Sequence, residues 1–261
     1  MSHGYAADES GKKRIAQLMV DHKVLIFGKI IPAMNIAPCY PEVRWLMSDP
    51  AAMRIIIEEM AKIVGKLDVD LLAGCEFAGV PLAAALSLET GLPVVHIRKK
   101  PKAYGSQTAV VGKITGSRAL LIDDATGKGE GKNQFAEYLE TESGGRVRVT
   151  DMLVLYHTGH PLIPWYDEHN VTHHQLIYFE DFAHHARDVG YLSPRLHDAM
   201  WDCYRDDNVQ RNAHDKERFE GILQIAEEDG WPIFNRETSY EDLVEQSKQL
   251  GKWDPVPENI L

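Results

Sequence analysis

The chain has no apolar run approaching the roughly 18 residues that a membrane-spanning helix requires. Residues 1 to 13 are polar and lack the apolar core of a signal peptide, so a cytoplasmic location is expected. Excess positive charge is also missing. The 28 basic and 39 acidic side chains leave a net charge of −11, which argues against nonspecific nucleic-acid binding, since that draws on neutralised phosphates. There is no helix-turn-helix segment or basic arm. The three cysteines, Cys39, Cys75 and Cys203, are far apart and form no CxxC pair, so they read as small buried hydrophobes in a reducing compartment. No internal repeat, GxGxxG or HExxH is present. A Walker A loop is excluded by spacing: it needs four residues between its Gly and its Gly-Lys, and Gly127 to Gly131 encloses three.

What the chain has is an ordinary globular balance, 44% hydrophobic and 26% charged, over 261 residues. That length suits one large domain, or one domain with a substantial appendage. Ile15, Leu18 and Met19 mark a first short helix. Asp49-Pro50 caps a second, in which Met53, Ile56, Ile57, Met60, Ile63 and Val64 repeat at helical spacing and Gly65 ends the run. The centre changes rhythm. A short apolar run at 69 to 73 precedes an Ala-rich helix from about 80 to 90, closed by Gly91. A strand at 93 to 97 follows, then a hairpin or loop at 108 to 117 with Gly112 and Gly116 as turn residues. The buried-type strand at 119 to 122, a helix carrying Phe135, Tyr138 and Leu139, and a strand at 147 to 156 complete the pattern. This alternation predicts an α/β fold with a mostly parallel sheet and sites at the carboxyl ends of its strands.

After about residue 160 the character shifts. Four of the five tryptophans and nine of the twelve histidines lie there or at the boundary, starting with His157. Phe219, Ile222, Leu223 and Ala226 mark an amphipathic helix, and Ser239 with Asp242 starts another. A core over 1 to 160 and a mainly helical extension over 161 to 261 are expected. His184 and His185 lie near Glu180, Asp181 and Asp188, but the spacing matches no known metal motif. These histidines read as surface or hydrogen-bonded groups.

The most informative stretch is Leu120-Leu121-Ile122-Asp123-Asp124-Ala125-Thr126-Gly127-Lys128-Gly129-Glu130-Gly131. A buried strand delivers two adjacent carboxylates to its end, and a loop with three glycines runs into a helix. Glycines let backbone N–H groups converge on an anion, and the helix adds its positive end. Paired carboxylates accept hydrogen bonds from vicinal sugar hydroxyls, so the stretch describes a cradle for ribose 5-phosphate. Its bland alternative is a strand end capped by acids before an ordinary loop. A second segment, Arg98-Lys99-Lys100-Pro101-Lys102-Ala103-Tyr104-Gly105, sets four cations in five positions at the end of a strand. Pyrophosphate is a fitting ligand for them, and a solvated basic loop is the plain alternative.

The acid pair with its glycine loop resembles the signature of the type I phosphoribosyltransferases. The register of Arg98, Lys99, Lys102, Tyr104 and Gly105 resembles the orotate phosphoribosyltransferases in particular. Asp70 to Gly74, Gly79-Val80-Pro81 and Glu89-Thr90-Gly91-Leu92-Pro93 look like that family's pyrophosphate-loop strand, helix and turn. Phe27-Gly28, Pro38-Cys39-Tyr40, Arg44 and Ser48-Asp49-Pro50 are similar to its N-terminal segment. The similarity spans roughly residues 10 to 158.

The resemblance implies a Mg²⁺-dependent enzyme that moves ribose 5-phosphate from 5-phosphoribosyl-1-pyrophosphate (PRPP) to a nitrogenous base, orotate by default, with Mg²⁺ held mainly by PRPP. It assigns Asp123 and Asp124 to the ribose hydroxyls, and residues 125 to 132, with Ala125, Thr126, Gly127, Lys128, Gly129, Glu130 and Gly131 foremost, to the 5-phosphate through backbone N–H groups. Arg98, Lys99 and Lys102 go to the departing pyrophosphate, with Glu76, Ala78 and Gly79 in the loop beneath it, and Tyr104 is counted among the PRPP-binding residues. Lys102 becomes the mobile catalytic cation, on a loop that the family shares across a homodimer. Met34, Tyr40 and His157 lie on the acceptor side.

Three positions depart from the pattern. Gly127 stands where the family usually has Thr. Residues 32 to 36 carry no cation where it has a Lys-Ser-Gly-Arg-like stretch, and Tyr156-His157 replaces an Asp-Arg pair. These changes leave two alternatives beside orotate transfer: a less anionic acceptor, or a non-catalytic sensor of PRPP or a nucleotide with the same fold.

Overall fold

The computed structural model describes residues 4–32, 36–101, 108–205 and 215–253. The chain begins with α1 (Glu9–Asp21), β1 (Leu25–Ile30), β2 (Ala37–Pro41), a 3-10 helix (Val43–Ser48) and α2 (Pro50–Val64). It continues through β3 (Leu71–Cys75), α3 (Gly79–Thr90), β4 (Val94–Ile97), β5 (Val110–Val111), β6 (Arg118–Thr126), α4 (Lys132–Glu142) and β7 (Arg148–His157). Then come α5 (Trp165–Glu168), β8 (Thr172–Tyr178), α6 (Phe179–Asp188), α7 (Pro194–Arg205), α8 (Lys216–Glu228), β9 (Ile233–Phe234) and α9 (Tyr240–Gln249).

These elements form two compact units, Met1–Leu18 with Val43–Phe182 and Met19–Glu42 with Ala183–Leu261. The division differs from a core ending near residue 160. The chain adds one more parallel strand, β8, to the main sheet, and the first unit runs to Phe182. The sequence hides β8 because His173, His174 and Gln175 interrupt its apolar pattern. His174 and Gln175 are nevertheless buried, with the His174 ring paired to Asp151 at 2.8 Å and accepting the Tyr5 N–H at 2.8 Å.

In the first unit the six strands run β5-β4-β3-β6-β7-β8, all parallel except β5, which is antiparallel to β4. β3 is buried at every position, as in a parallel sheet covered on both faces. Leu71, Ala73 and Cys75 join Ala119 and Leu121 in one apolar cluster with Phe135, Ala136 and Leu139 of α4. Gly74 faces the other way. A Cβ there would lie 2.9 Å from the Ala83 Cβ of α3, so the missing side chain lets helix and strand touch. α2 starts as its sequence predicts: the Asp49 carboxylate accepts the Ala51 N–H at 2.8 Å, and Pro50 fills the first turn. Its buried Glu59 is paired with Arg14 at 2.7 Å and Lys62 at 2.9 Å, which compensates a carboxylate 1% exposed.

In the second unit, β1 pairs antiparallel with β2 and parallel with β9. The C-terminal segment therefore supplies a strand to an N-terminal sheet instead of forming a separate appendage. Gly28 permits the contact, because a Cβ there would sit 2.6 Å from the Phe234 Cβ. Around it, Phe27 meets Trp231 edge-on at 4.9 Å, and Lys29 pairs with Glu220 at 3.3 Å. α8 and α9 bury Phe219, Ile222, Leu223, Tyr240 and Leu243, and the Ser239 hydroxyl caps α9 by accepting the Asp242 N–H. Cys39 and Cys75 are both buried and form no disulfide. The Cys203 side chain lies outside the described residues. Among the described residues no helix is long and apolar enough to cross a membrane.

Candidate active site

Parallel strands end on the same side, so β3, β4, β6 and β7 carry their following residues to one edge of the sheet. β3 leads into Glu76, whose Oε2 accepts the Lys99 N–H at 2.7 Å. That bond fastens the pyrophosphate-loop candidate to the start of the basic segment beyond β4. The Glu76–Phe77 peptide is cis. Ala78 and Gly79 are buried at the amino end of α3, and a Cβ on Gly79 would run into the Ile122 carbonyl and lie 3.1 Å from the Asp123 Cα. A glycine here is what allows the helix terminus to back onto the acid pair. Arg98 donates its N–H to the Ala109 carbonyl at 3.0 Å, and Lys99 is exposed. Lys102 and Tyr104 lie outside the described residues, as does Met34.

β6 does not stop at Ile122, where its apolar run ends. It continues through both acids to Thr126, pairing Asp123 with Val154, Ala125 with Tyr156 and Thr126 with His157. The carboxylates are thus set on a strand and not on a loop, and ladder bonds hold their direction. Asp123 is 4% exposed. Its Oδ1 accepts the Asp124 N–H at 2.9 Å, and its Oδ2 is in contact with the ammonium of Lys132. Asp124 is more open, with Oδ2 3.9 Å from Nε of Arg44 on the 3-10 helix.

The Lys132 side chain was not singled out by the sequence, where the residue enters only as the backbone end of the phosphate segment. The signal that could have found it is its place on the first turn of α4, within reach of a buried acid. Burial pulls this lysine below its ordinary range; the Cys75 thiol acts against that shift and Lys99 adds to it. The thiol itself is pushed up to about 12 by burial and stays neutral.

Within the glycine loop, Gly129 and Gly131 adopt left-handed backbone, φ 79° and 77°, while Gly127 does not. The loop is braced from residues 163 to 166. Lys128 O accepts the Ile163 N–H at 2.9 Å, and the Tyr166 hydroxyl donates to Gly129 O at 3.2 Å. A Cβ on Gly129 would lie 2.5 Å from the Tyr166 ring, so the close approach also demands glycine. Lys128 is half-buried, and Glu130 is exposed beyond it. Tyr166 is the second residue that sequence reasoning missed, because nothing in its surroundings marks a partner 37 positions upstream.

At the end of β7, His157 is buried, its ring edge-on to Tyr178 with centroids 5.2 Å apart. Its Nδ1 accepts the Gly159 N–H at 3.1 Å, which places the proton of the neutral ring on Nε2. Burial pushes its pKa down to about 4, with the Gly127 backbone acting the other way. His160 is lowered too, by burial and by Lys128. Tyr40, the remaining acceptor-side candidate, is half-buried on β2 in the second unit, opposite Ile26. Among the described residues no group of three or more His, Cys, Asp or Glu side chains is gathered as for a metal ion.

The chain is 33% identical over 147 residues to an orotate phosphoribosyltransferase of Thermococcus gammatolerans, a match covering 55% of this chain and 77% of that protein. The chain belongs to the orotate phosphoribosyltransferase family. No protein-family model matches it. Two solved structures share the fold at low identity. The orotate phosphoribosyltransferase of Aeropyrum pernix superposes with a TM-score of 0.59 at 18% identity, over 69% of this chain and 99% of that one. The UMP synthase of Leishmania donovani gives 0.62 at 20%, over 82% of this chain and 42% of that longer one. The mostly parallel sheet flanked by helices is therefore the type I phosphoribosyltransferase fold.

Proposed function

We propose that this protein transfers ribose 5-phosphate from PRPP to a ring nitrogen of a base, with orotate as the first candidate. The observation that carries the reading is the convergence of Glu76, Gly79, Lys99, Asp123, Asp124 and the 127–131 loop at one edge of the sheet. In the reaction the acceptor nitrogen attacks the anomeric carbon, the bond from that carbon to pyrophosphate breaks, and pyrophosphate leaves with the electron pair. The acceptor nitrogen loses its proton. Asp123 and Asp124 accept the ribose hydroxyls and favour the positive charge developing at the anomeric carbon. The basic segment stabilises the departing anion, so catalysis rests on positioning and electrostatics and not on a protein nucleophile.

Mg²⁺ fits this site as a ligand of the donor. Asp123 is already compensated by Lys132, and Asp124 faces Arg44, so the protein offers carboxylate oxygens without a cage of its own. When bound, the ion would neutralise pyrophosphate and orient it, with Asp124 the more accessible of the two acids. By family analogy the segment around Lys102 completes the site of a second copy in a homodimer.

A specific observation favours a second reading. The resemblance puts His157 where the family has a carboxylate-binding arginine, and its buried ring is neutral at physiological pH. A neutral N–H donor suits an acceptor without a carboxylate better than orotate.

The test is pyrophosphate release from Mg²⁺ and PRPP with orotate, then with a panel of other bases. Release with orotate supports the first reading, and release with an uncharged base alone supports the second. Donor binding without release from any base would sink both and leave a sensor.

A further inference from the structure

Asp123 presents two oxygens, and the protein engages both: Oδ1 with the Asp124 N–H and Oδ2 with the Lys132 ammonium. A ribose hydroxyl that docks on Oδ2 of this carboxylate either shares that oxygen with Lys132 or displaces it, and it weakens the hold of Asp123 on the lysine in both cases. A lysine displaced inside the fold keeps its charge only if another anion replaces the carboxylate, because an unpaired buried charge is costly. The neighbouring groups cannot serve. Cys75 is held as a neutral thiol, Lys99 is a like charge, and Asp124 is set toward Arg44.

The anion closest along the chain is the one that the glycine loop is built to receive. Lys132 follows Gly131 directly, its own N–H reaches back to Gly129 O at 3.3 Å, and its stem has four rotatable carbons to swing on. We propose that Lys132 is a donor-binding residue that exchanges its partner Asp123 for the 5-phosphate of the donor. The proposal rests on the transferase reading above for the identity of that donor. It adds a cation to a phosphate loop whose Gly127 has no hydroxyl to offer, and it couples the two halves of donor recognition. The ribose hydroxyls release the lysine, and the phosphate captures it.

The test is calorimetric titration of the full chain with PRPP, ribose 5-phosphate and pyrophosphate in the presence of Mg²⁺, comparing wild type with Lys132→Met. The variant should lose about 10- to 100-fold in affinity for ribose 5-phosphate and PRPP, the range of a charge-assisted hydrogen bond. Its affinity for pyrophosphate should stay within about twofold, since the phosphate and pyrophosphate sites are separate. Loss of all three ligands together, or of none, overturns the proposal, and a lysine that merely clamps the loop to the strand is told apart by an ammonium that ribose 5-phosphate does not move.

A variant that fails to fold does not end the matter. In the wild-type protein the Lys132 ammonium resonance, assigned with Lys132→Arg, should move on adding ribose 5-phosphate and stay in place with pyrophosphate. No movement with ribose 5-phosphate rejects the exchange. The two ideas fail separately. Turnover with unaltered sugar-phosphate binding in Lys132→Met removes the role of Lys132 alone. Absence of turnover with the expected binding pattern removes the transferase reading and leaves Lys132 in place.

Discussion

Where β3, β4 and β6 end, the sheet edge is charged, and the charges are met by partners. Glu76 holds the Lys99 backbone, Asp123 holds Lys132, and Asp124 faces Arg44. Where β7 ends, the chain instead presents His157 and His160, two imidazoles that burial keeps from protonating. The two halves of one edge follow different rules. In the first, the acids are met by donors, a cationic side chain for Asp123 and Asp124 and a backbone N–H for Glu76, which offset the cost of desolvation. In the second, burial holds both imidazoles below their ordinary range and so favours the neutral ring. On the proposed reading this difference puts donor chemistry on β3, β4 and β6 and sets neutral imidazoles at the end of β7.

The contrast can be broken first on its charged side. Asp123→Asn keeps the shape but removes the charge, and turnover should fall by about 10²- to 10³-fold, as when one preorganised electrostatic contact is lost. His157→Gln, measured in the same pyrophosphate-release assay, should leave the donor KM within about threefold and move the acceptor KM. A large donor effect from His157→Gln would erase the division between the halves.

A smaller effect concerns how the charged half is held together. Gly79→Ala drives a Cβ into the Ile122 carbonyl behind the acid pair, so it should lower unfolding free energy by about 1–3 kcal/mol in a urea titration. Phe77→Ser, two residues away on an exposed side chain, should change stability by no more than about 0.5 kcal/mol. Equal losses would mean that close helix–strand approach is not what places Asp123.

The neutral half predicts a pH dependence. The folded protein holds His157 at about 4 and His173 at about 3, both below the 6.5 of an unperturbed histidine. Between those values the unfolded chain binds protons that the folded one does not. Stability is therefore present above about pH 6.5 and is lost as pH falls toward 4. Each ring contributes a slope of at most about 1.4 kcal/mol per pH unit. His157→Gln should flatten the acid limb of a melting-temperature profile by one such contribution. An unchanged limb would show that His157 is not held neutral by the fold.

Much of the donor half was readable from residues alone, because its signals are local. A buried run ending in two acids, three glycines in five positions, and four cations in five all sit within short windows. α2 and α3 were equally plain, since capping residues and apolar spacing agree. What escaped depends on distance along the chain. Lys132 finds Asp123 nine residues away through the curl of the loop, and Tyr166 braces Gly129 from 37 positions downstream. β8 was missed because buried histidines look polar in a sequence, and its burial is made tolerable by Asp151 and the Tyr5 backbone, which no window contains. β9 joins β1 across some two hundred residues, so a C-terminal extension was expected where the fold interleaves the two ends.

A small gain, and the one substitution expected to improve the site, is predicted where the two halves meet, at Gly127. Its backbone is not left-handed, so a side chain meets no conformational barrier there. A Cβ would lie 3.4 Å from Oγ1 of Thr158, a buried hydroxyl with no hydrogen-bond partner among the described residues. Gly127→Thr therefore restores the family's residue at a position that can take it, and it offers one more donor to a phosphate on the loop. One such hydrogen bond contributes roughly 0.5–1.5 kcal/mol, so the KM for PRPP should fall about 2- to 10-fold with the acceptor KM unchanged. A lower donor KM would show that the loop still receives phosphate in the family's manner and lacks only the hydroxyl. A higher one would mean that Lys128 and Lys132 have taken over the phosphate from a different side, and that glycine at 127 keeps the approach open for them.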